Sequence, residues 1–226
     1  KKLLKVCSKN KIKNFIFSST CAVYGNVSGI VTERTKTIPF NVYGKSKLKC
    51  ENFIKSYAKK NNFNYAILRY FNVAGSDIKN KLGCINNYNQ LIKNLAISVL
   101  KKENKISVYG NNYTTPDGTC IRDFIFISDI SKIHCEILKI MSDNKKSYLL
   151  NCGYGTGYSV LQIIKKFEYL FKLKIKIKFV PRRKGDISDI IASTKKLNNF
   201  INLNKKNKLK EIILSTLKWE KYLIKK

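Results

Sequence analysis

A chain of 226 residues, 44% of them hydrophobic, is long enough to bury one good core or two small ones. No apolar run approaches the roughly 18 residues of a membrane helix and no signal peptide is evident, so a membrane is excluded as partner and a cytoplasmic setting is expected. The formal charge of +31 raises nucleic acid as a partner, yet the lysines are scattered and only Arg34, Arg69, Arg122, Arg182 and Arg183 are arginine, a skew that AT-rich codons impose on any protein and that predicts no specific nucleic-acid site, only weak attraction to polyanions.

Along the chain, Asn14-Phe-Ile-Phe-Ser-Ser-Thr20 reads as a short buried strand ending in three hydroxyls, and Cys21-Ala-Val-Tyr-Gly25 turns the chain away. Such an ending suits a site at the carboxyl edge of a parallel sheet. A helix is expected over residues 43–60, with Leu48, Phe53, Ile54 and Ala58 near helical spacing. It opens with Tyr43-Gly-Lys-Ser-Lys47, which puts a phenol and an ammonium one turn apart on one face. A free tyrosine titrates near ~10 and is a poor base at neutral pH, but an adjacent cation favours the phenolate. Alone, that spacing in a lysine-rich chain equally describes two surface residues. A second strand over residues 64–72 completes a parallel crossover unit.

Further on, His134 falls on an expected helix as surface or packing, and one histidine excludes imidazole triads and multi-histidine metal sites. Gly153-Tyr-Gly-Thr-Gly157 has Tyr158 where a dinucleotide fingerprint needs glycine, and no lysine where a phosphate loop needs one. It reads as a turn between a strand ending at Asn151 and a helix beginning near Ser159. In residues 172–179 lysines alternate with apolar residues as the wet face of a strand. Residues 209–223, with Ile213, Leu217 and Trp219, form an amphipathic helix that covers the core. The seven cysteines lack any C-x-x-C pair and read as small buried apolar residues in a reducing compartment.

Six blocks in one order carry a resemblance: Phe17-Ser-Ser-Thr-Cys-Ala-Val-Tyr-Gly25, Tyr43-Gly-Lys-Ser-Lys47, Leu68-Arg-Tyr-Phe-Asn-Val-Ala-Gly75, Thr115-Pro-Asp-Gly-Thr-Cys-Ile-Arg-Asp-Phe-Ile125, Asn151-Cys-Gly-Tyr-Gly-Thr-Gly-Tyr-Ser-Val160 and Pro181-Arg-Arg-Lys-Gly-Asp186. Together they resemble the extended short-chain dehydrogenase/reductase family. The resemblance implies an α/β fold: the C-terminal part of a Rossmann-type doubly wound parallel sheet, plus a smaller mixed α/β substrate domain. It assigns residues 1–72 to the NAD-binding portion and residues 73–226 mainly to binding of a UDP-sugar. The implied activity is NAD-dependent interconversion of UDP-galactose and UDP-glucose by C4 oxidation, rotation of the 4-keto sugar and re-reduction.

The same resemblance distributes the roles. Tyr43, Lys47 and Thr20 are implied to be catalytic, with Tyr43 accepting the 4-hydroxyl proton and Thr20 bridging substrate and phenol. Ser18, Tyr70 and Phe71 join Tyr43 and Lys47 as cofactor contacts. Thr20, Asn72, Gln90, Leu91, Tyr109, Arg122, Arg183 and Asp186 are implied to hold the UDP-hexose, the two arginines as a diphosphate clamp. Residue types alone also allow a local ion pair at Arg122-Asp123 and a solvated turn at Arg182-Arg183. Ile190 lies near the position that sets acceptance of N-acetylated sugars. Cys21 and Ala22 stand where dehydratases of this family carry an acidic pair, which favours epimerisation.

The family's glycine-rich turn and ribose-binding acid are missing, so the chain is expected to begin partway through the nucleotide-binding domain and not to retain NAD by itself. A catalytically inactive remnant that binds UDP-sugar, a 4,6-dehydratase and a decarboxylase stand as alternatives. A homodimer built on a four-helix bundle is expected for a full-length parent.

Overall fold

The computed structural model describes residues 1–86 and 90–225. The first unit runs α1 (Lys2–Lys9), β1 (Asn14–Thr20), a 3-10 turn (Cys21–Tyr24), β2 (Ile30–Val31), α2 (Val42–Asn61), β3 (Asn64–Tyr70) and β4 (Asn72–Ala74). Then come α3 (Leu91–Leu100), β5 (Lys105–Tyr109), β6 (Ile121–Phe126), α4 (Ile127–Asn144), β7 (Tyr148–Cys152) and β8 (Gly157–Ser159). The chain closes with α5 (Val160–Phe171), β9 (Lys176–Val180), β10 (Asp189–Ala192), α6 (Lys195–Asn198) and α7 (Lys208–Ile224).

Two parallel sheets dominate. The first has the order β1-β3-β7, with Thr20 opposite Tyr70 and Tyr70 opposite Cys152. Central β3 is the most apolar, and Ala66, Ile67 and Leu68 are fully buried, as a strand covered on both faces must be. The second sheet runs β2-β10-β6-β4, with β8 antiparallel against β6. β5 and β9 form a separate parallel pair. Chain beyond residue 72 therefore returns to the first sheet through β7, an interleaving that local periodicity does not report.

Local chemistry sets the boundaries of the elements that matter. Asn41 caps α2 by accepting the Gly44 N–H at 2.7 Å, and Asn62 ends it in the left-handed region at φ 47°. Inside α2, Glu51 is fully buried and takes both Nε and Nη2 of Arg69, at 3.0 and 2.6 Å, together with the Ser19 hydroxyl at 2.5 Å. One carboxylate thus pins α2 to β1 and β3 at once. α5 begins with a capping box between Ser159 and Gln162, and α7 buries Ile212, Ile213 and Trp219 as the amphipathic pattern predicts. No helix among the described residues is long and apolar enough to cross a membrane.

Two readings are corrected. β9 is an edge strand whose apolar residues are also wet, with Ile177 and Phe179 exposed, because only β5 pairs with it. Of the seven cysteines, all free, only Cys152 is fully buried, while Cys50 and Cys135 are exposed.

Candidate active site

The carboxyl edge of the first sheet gathers the hydroxyl cluster. Thr20 is buried, and its Oγ1 accepts the Ala22 N–H at 3.1 Å, with the Cys21 thiol as a further neighbour of the hydroxyl. α2 presses its first turn onto this edge: a Cβ on Gly44 would lie 2.5 Å from the Ala22 carbonyl oxygen. Gly44 is the residue that allows Tyr43 to approach. Tyr43 is 56% exposed, and among the described residues no hydrogen bond links it to Thr20. Lys47 donates from Nζ to the Ser18 carbonyl at 2.9 Å and lies 5.7 Å from the Tyr43 ring centroid and 5.1 Å from that of Phe17.

Ser18 and Tyr70 differ from simple pocket lining. The Tyr70 hydroxyl lies 2.8 Å from Ser18 Oγ and 2.8 Å from His134 Nε2. Burial pushes its pKa up to about 12 in spite of the Ser18 hydrogen bond. The lone histidine therefore has a specific polar partner, which the expectation of surface or packing missed. Phe71, pointing the other way from Tyr70, packs with Val23, Tyr24, Val31, Ile190 and Ala192. Ile190 sits in that cluster and not on the cavity wall described next.

Directly after β3 opens a cavity of about 410 Å³. Phe71, Asn72, Gln90, Leu91, Tyr109, Arg122, Arg183 and Asp186 all line it. The first turn of α3 also faces in, and Gln90 at its N-cap makes no side-chain capping bond, leaving a helix N-terminus beside two guanidinium groups. Arg122 is held by the carbonyls of Ile121 at 2.8 Å and Ile187 at 2.9 Å and by Asp186 at 3.5 Å. Arg183 lies flat on Tyr109, 3.8 Å from the ring centroid, whereas its neighbour Arg182 turns to Tyr113 and to Asn112. Adjacent arginines thus take different tasks.

Three features join cavity and hydroxyl edge. Asn72 lies two residues beyond Tyr70, the register partner of Thr20. Cys21 feels the charge of Arg122, although burial outweighs it and pushes the thiol up to about 11. The cavity loop meets the approach to α2, where a Cβ on Gly185 would lie 2.4 Å from the Phe40 ring.

Sequence reasoning missed the inner wall. Lys93 and Glu220 are both buried, pair at 3.0 Å and line the cavity beside Trp219. A lysine inside the apolar run Leu91-Ile-Lys-Asn-Leu-Ala96 was the available signal. The glycine cluster turns the chain as expected, but Gly157 already opens the short strand β8, which precedes α5, and the turn is held for a reason found elsewhere in the chain. Asp123 accepts the N–H groups of Tyr154, Gly155 and Ala192 at 2.9, 2.8 and 3.2 Å, so an internal carboxylate occupies the donors a phosphate would need.

Comparison with known proteins agrees with this arrangement. Residues 1–153 match the NAD dependent epimerase/dehydratase family. A UDP-glucose 4-epimerase of Azospirillum brasilense is 35% identical over 224 residues, which is 98% of this chain and 64% of the relative. UDP-arabinose 4-epimerase 1 of Arabidopsis thaliana is 31% identical over 236 residues, or 97% of this chain and 54% of that protein. Among solved structures, the UDP-glucose-4-epimerase of Stenotrophomonas maltophila with bound NAD and formylated UDP-arabinopyranose superposes with a TM-score of 0.93 at 29% identity, covering 99% of this chain and 68% of that one. The chain spans less than two thirds of the length of these curated relatives, at 64% and 54%. With more than half its residues matched, and a parallel α/β fold shared along nearly its full length, this chain belongs to the NAD dependent epimerase/dehydratase family.

Proposed function

We propose that this chain carries the proton-handling edge and the substrate cavity of an NAD-dependent UDP-glucose 4-epimerase. The observation that carries the reading is the single cavity shared by Arg122, Arg183, Asp186, Asn72 and the first turn of α3, with Arg122 near enough for its charge to act on Cys21 next to Thr20. Two guanidinium forks and a helix N-terminus suit a diphosphate. Asp186 suits a ribose hydroxyl, and the Tyr109 ring suits a flat base. On the hydroxyl edge, Lys47 has given one hydrogen to the Ser18 carbonyl and keeps two for acceptors such as ribose hydroxyls, so the residues present fit a nicotinamide nucleoside.

NAD, when bound, supplies the acceptor and later the donor of the C4 hydride. The rest is the work of side chains. Tyr43 takes the proton from the sugar 4-hydroxyl, with the Lys47 ammonium 5.7 Å from its ring centroid, and returns it at the end of the second half-reaction. Thr20 donates its hydrogen to the same sugar oxygen and orients it. Rotation of the 4-keto sugar between the two half-reactions asks that the diphosphate be gripped and the hexose held loosely, and the charged groups are concentrated at the grip. A dehydratase reading lacks its acid and base: Ala22 has no proton to give, and the Cys21 thiol is held protonated by burial.

The test is conversion. With UDP-galactose and a large excess of NAD supplied to the purified chain, because the cofactor is not expected to stay bound between turnovers, UDP-glucose is expected to form. Tyr43→Phe is expected to lower the rate by a factor on the order of 10²–10⁴, the usual worth of a positioned proton-transfer group. Formation of no UDP-glucose, or conversion undiminished in Tyr43→Phe, overturns the assignment.

A further inference from the structure

The hydrogen bonds behind Ser18 run in one direction. His134 Nδ1 lies 2.9 Å from the Ile130 carbonyl oxygen, which can only accept, so the imidazole proton belongs on Nδ1. In a neutral ring Nε2 is then the acceptor, and the Tyr70 hydroxyl, 2.8 Å away, donates to it. With that hydrogen used, the Tyr70 oxygen accepts from Ser18 Oγ at 2.8 Å. The Ser18 hydroxyl stands exposed at the sheet edge and has only lone pairs left to offer. Its own carbonyl meanwhile accepts from Lys47 Nζ, so residue 18 carries an acceptor hydroxyl and anchors a lysine donor.

We infer that His134 and Tyr70 are positioning residues that set the hydrogen-bond polarity of this edge: Ser18 is held as an acceptor beside the Lys47 donor. That pair complements a group able both to give and to take a hydrogen bond, such as the vicinal diol of a ribose, and it disfavours an anionic phosphate oxygen at Ser18. The inference rests on the reading of this edge as the cofactor-facing one. The sole histidine of the chain thereby acts on ligand choice through two hydroxyls, without touching the ligand.

Because there is one histidine, a sample labelled with [15N]histidine reports a single imidazole. Nitrogen–proton correlation is expected to show the proton on Nδ1 and an unprotonated Nε2. Tyr70→Phe keeps the ring and its packing and is expected to shift the Nε2 resonance and move proton population onto it, while Ser18→Ala leaves the tautomer unchanged. A proton on Nε2 in the unaltered chain, or a spectrum indifferent to Tyr70→Phe, overturns the proposal. Titration with NAD gives a second readout. Ser18→Ala and Tyr70→Phe are each expected to weaken binding by about five-fold, the worth of one net hydrogen bond, and the double variant by little more. Equal affinity in Ser18→Ala and the unaltered chain counts against the proposal. Where the unaltered chain binds no NAD, the imidazole spectrum alone upholds or overturns the assigned direction.

Discussion

Arg122 donates from Nη1 to the Ile121 and Ser188 carbonyls and from Nη2 to the Ile187 carbonyl and Asp186, which fixes its plane before any ligand arrives. A lysine there supplies the charge but not the fork, and it cannot satisfy the Ile121 and Ile187 carbonyls together. Arg122→Lys is therefore expected to weaken UDP binding by about ten-fold, read by calorimetric titration with UDP. An unchanged affinity would remove Arg122 from the diphosphate site. The lysine-rich composition makes this contrast informative. Four of the five arginines lie at Glu51, at Asp186, on Tyr109 and on Tyr113, partners that need or prefer a planar cation.

The elements are tied to one another by buried polar anchors as much as by apolar packing. Glu51 lies two turns beyond Tyr43 on α2, so the carboxylate that grips Ser19 and Arg69 also sets how far Tyr43 and Lys47 reach over the β1 edge. Arg69 in turn covers the Tyr24 ring, and the Tyr24 hydroxyl donates to Asn151 at 2.6 Å, linking the 3-10 turn to β7. Glu51→Gln leaves the guanidinium without its counter-charge and is expected to lose about 3–5 kcal/mol of stability, measured by urea unfolding. The paired replacement Glu51→Leu with Arg69→Met, similar in volume and uncharged, is expected to recover most of that loss. A single variant as stable as the unaltered chain would refute the anchoring role.

At neutral pH the fold already carries a large positive charge, and acid adds to it. Burial pushes Asp117 up, but donation from the Ser159 hydroxyl and from the Thr119 hydroxyl and N–H, with Lys165 nearby, outweighs it and holds this carboxyl below the ordinary range. Asp189 is likewise raised by burial and lowered further by Ser28, Ser188, Gly29 and Arg122. A carboxyl with a depressed folded-state pKa contributes stability above its unfolded value near ~4 and loses it as pH falls through the folded value. Both effects push the same way. The urea midpoint is expected to fall steadily from pH 6 towards pH 3, and Asp189→Asn to flatten that slope; a midpoint rising into acid would contradict the assignment.

Much of this was legible in the order of residues. The strand, helix, strand unit shows in local periodicity, since a helix or strand face is defined within a few positions. The one-turn spacing of Tyr43 and Lys47 fixes their common face, and six short blocks suffice to indicate the family. Contacts across the fold were not legible. Arg122 and Asp186 meet across 64 residues, Tyr70 and His134 also across 64, and Tyr24 and Asn151 across 127. The wetness of β9 depends on how many neighbours that strand acquires, and the raised pKa of the Cys21 thiol on what buries it. Periodicity and spacing are set by bonds along the chain, so the sequence alone determines them. Burial, partner choice and hydrogen-bond direction depend on which distant segments pack together, and only the tertiary structure decides that.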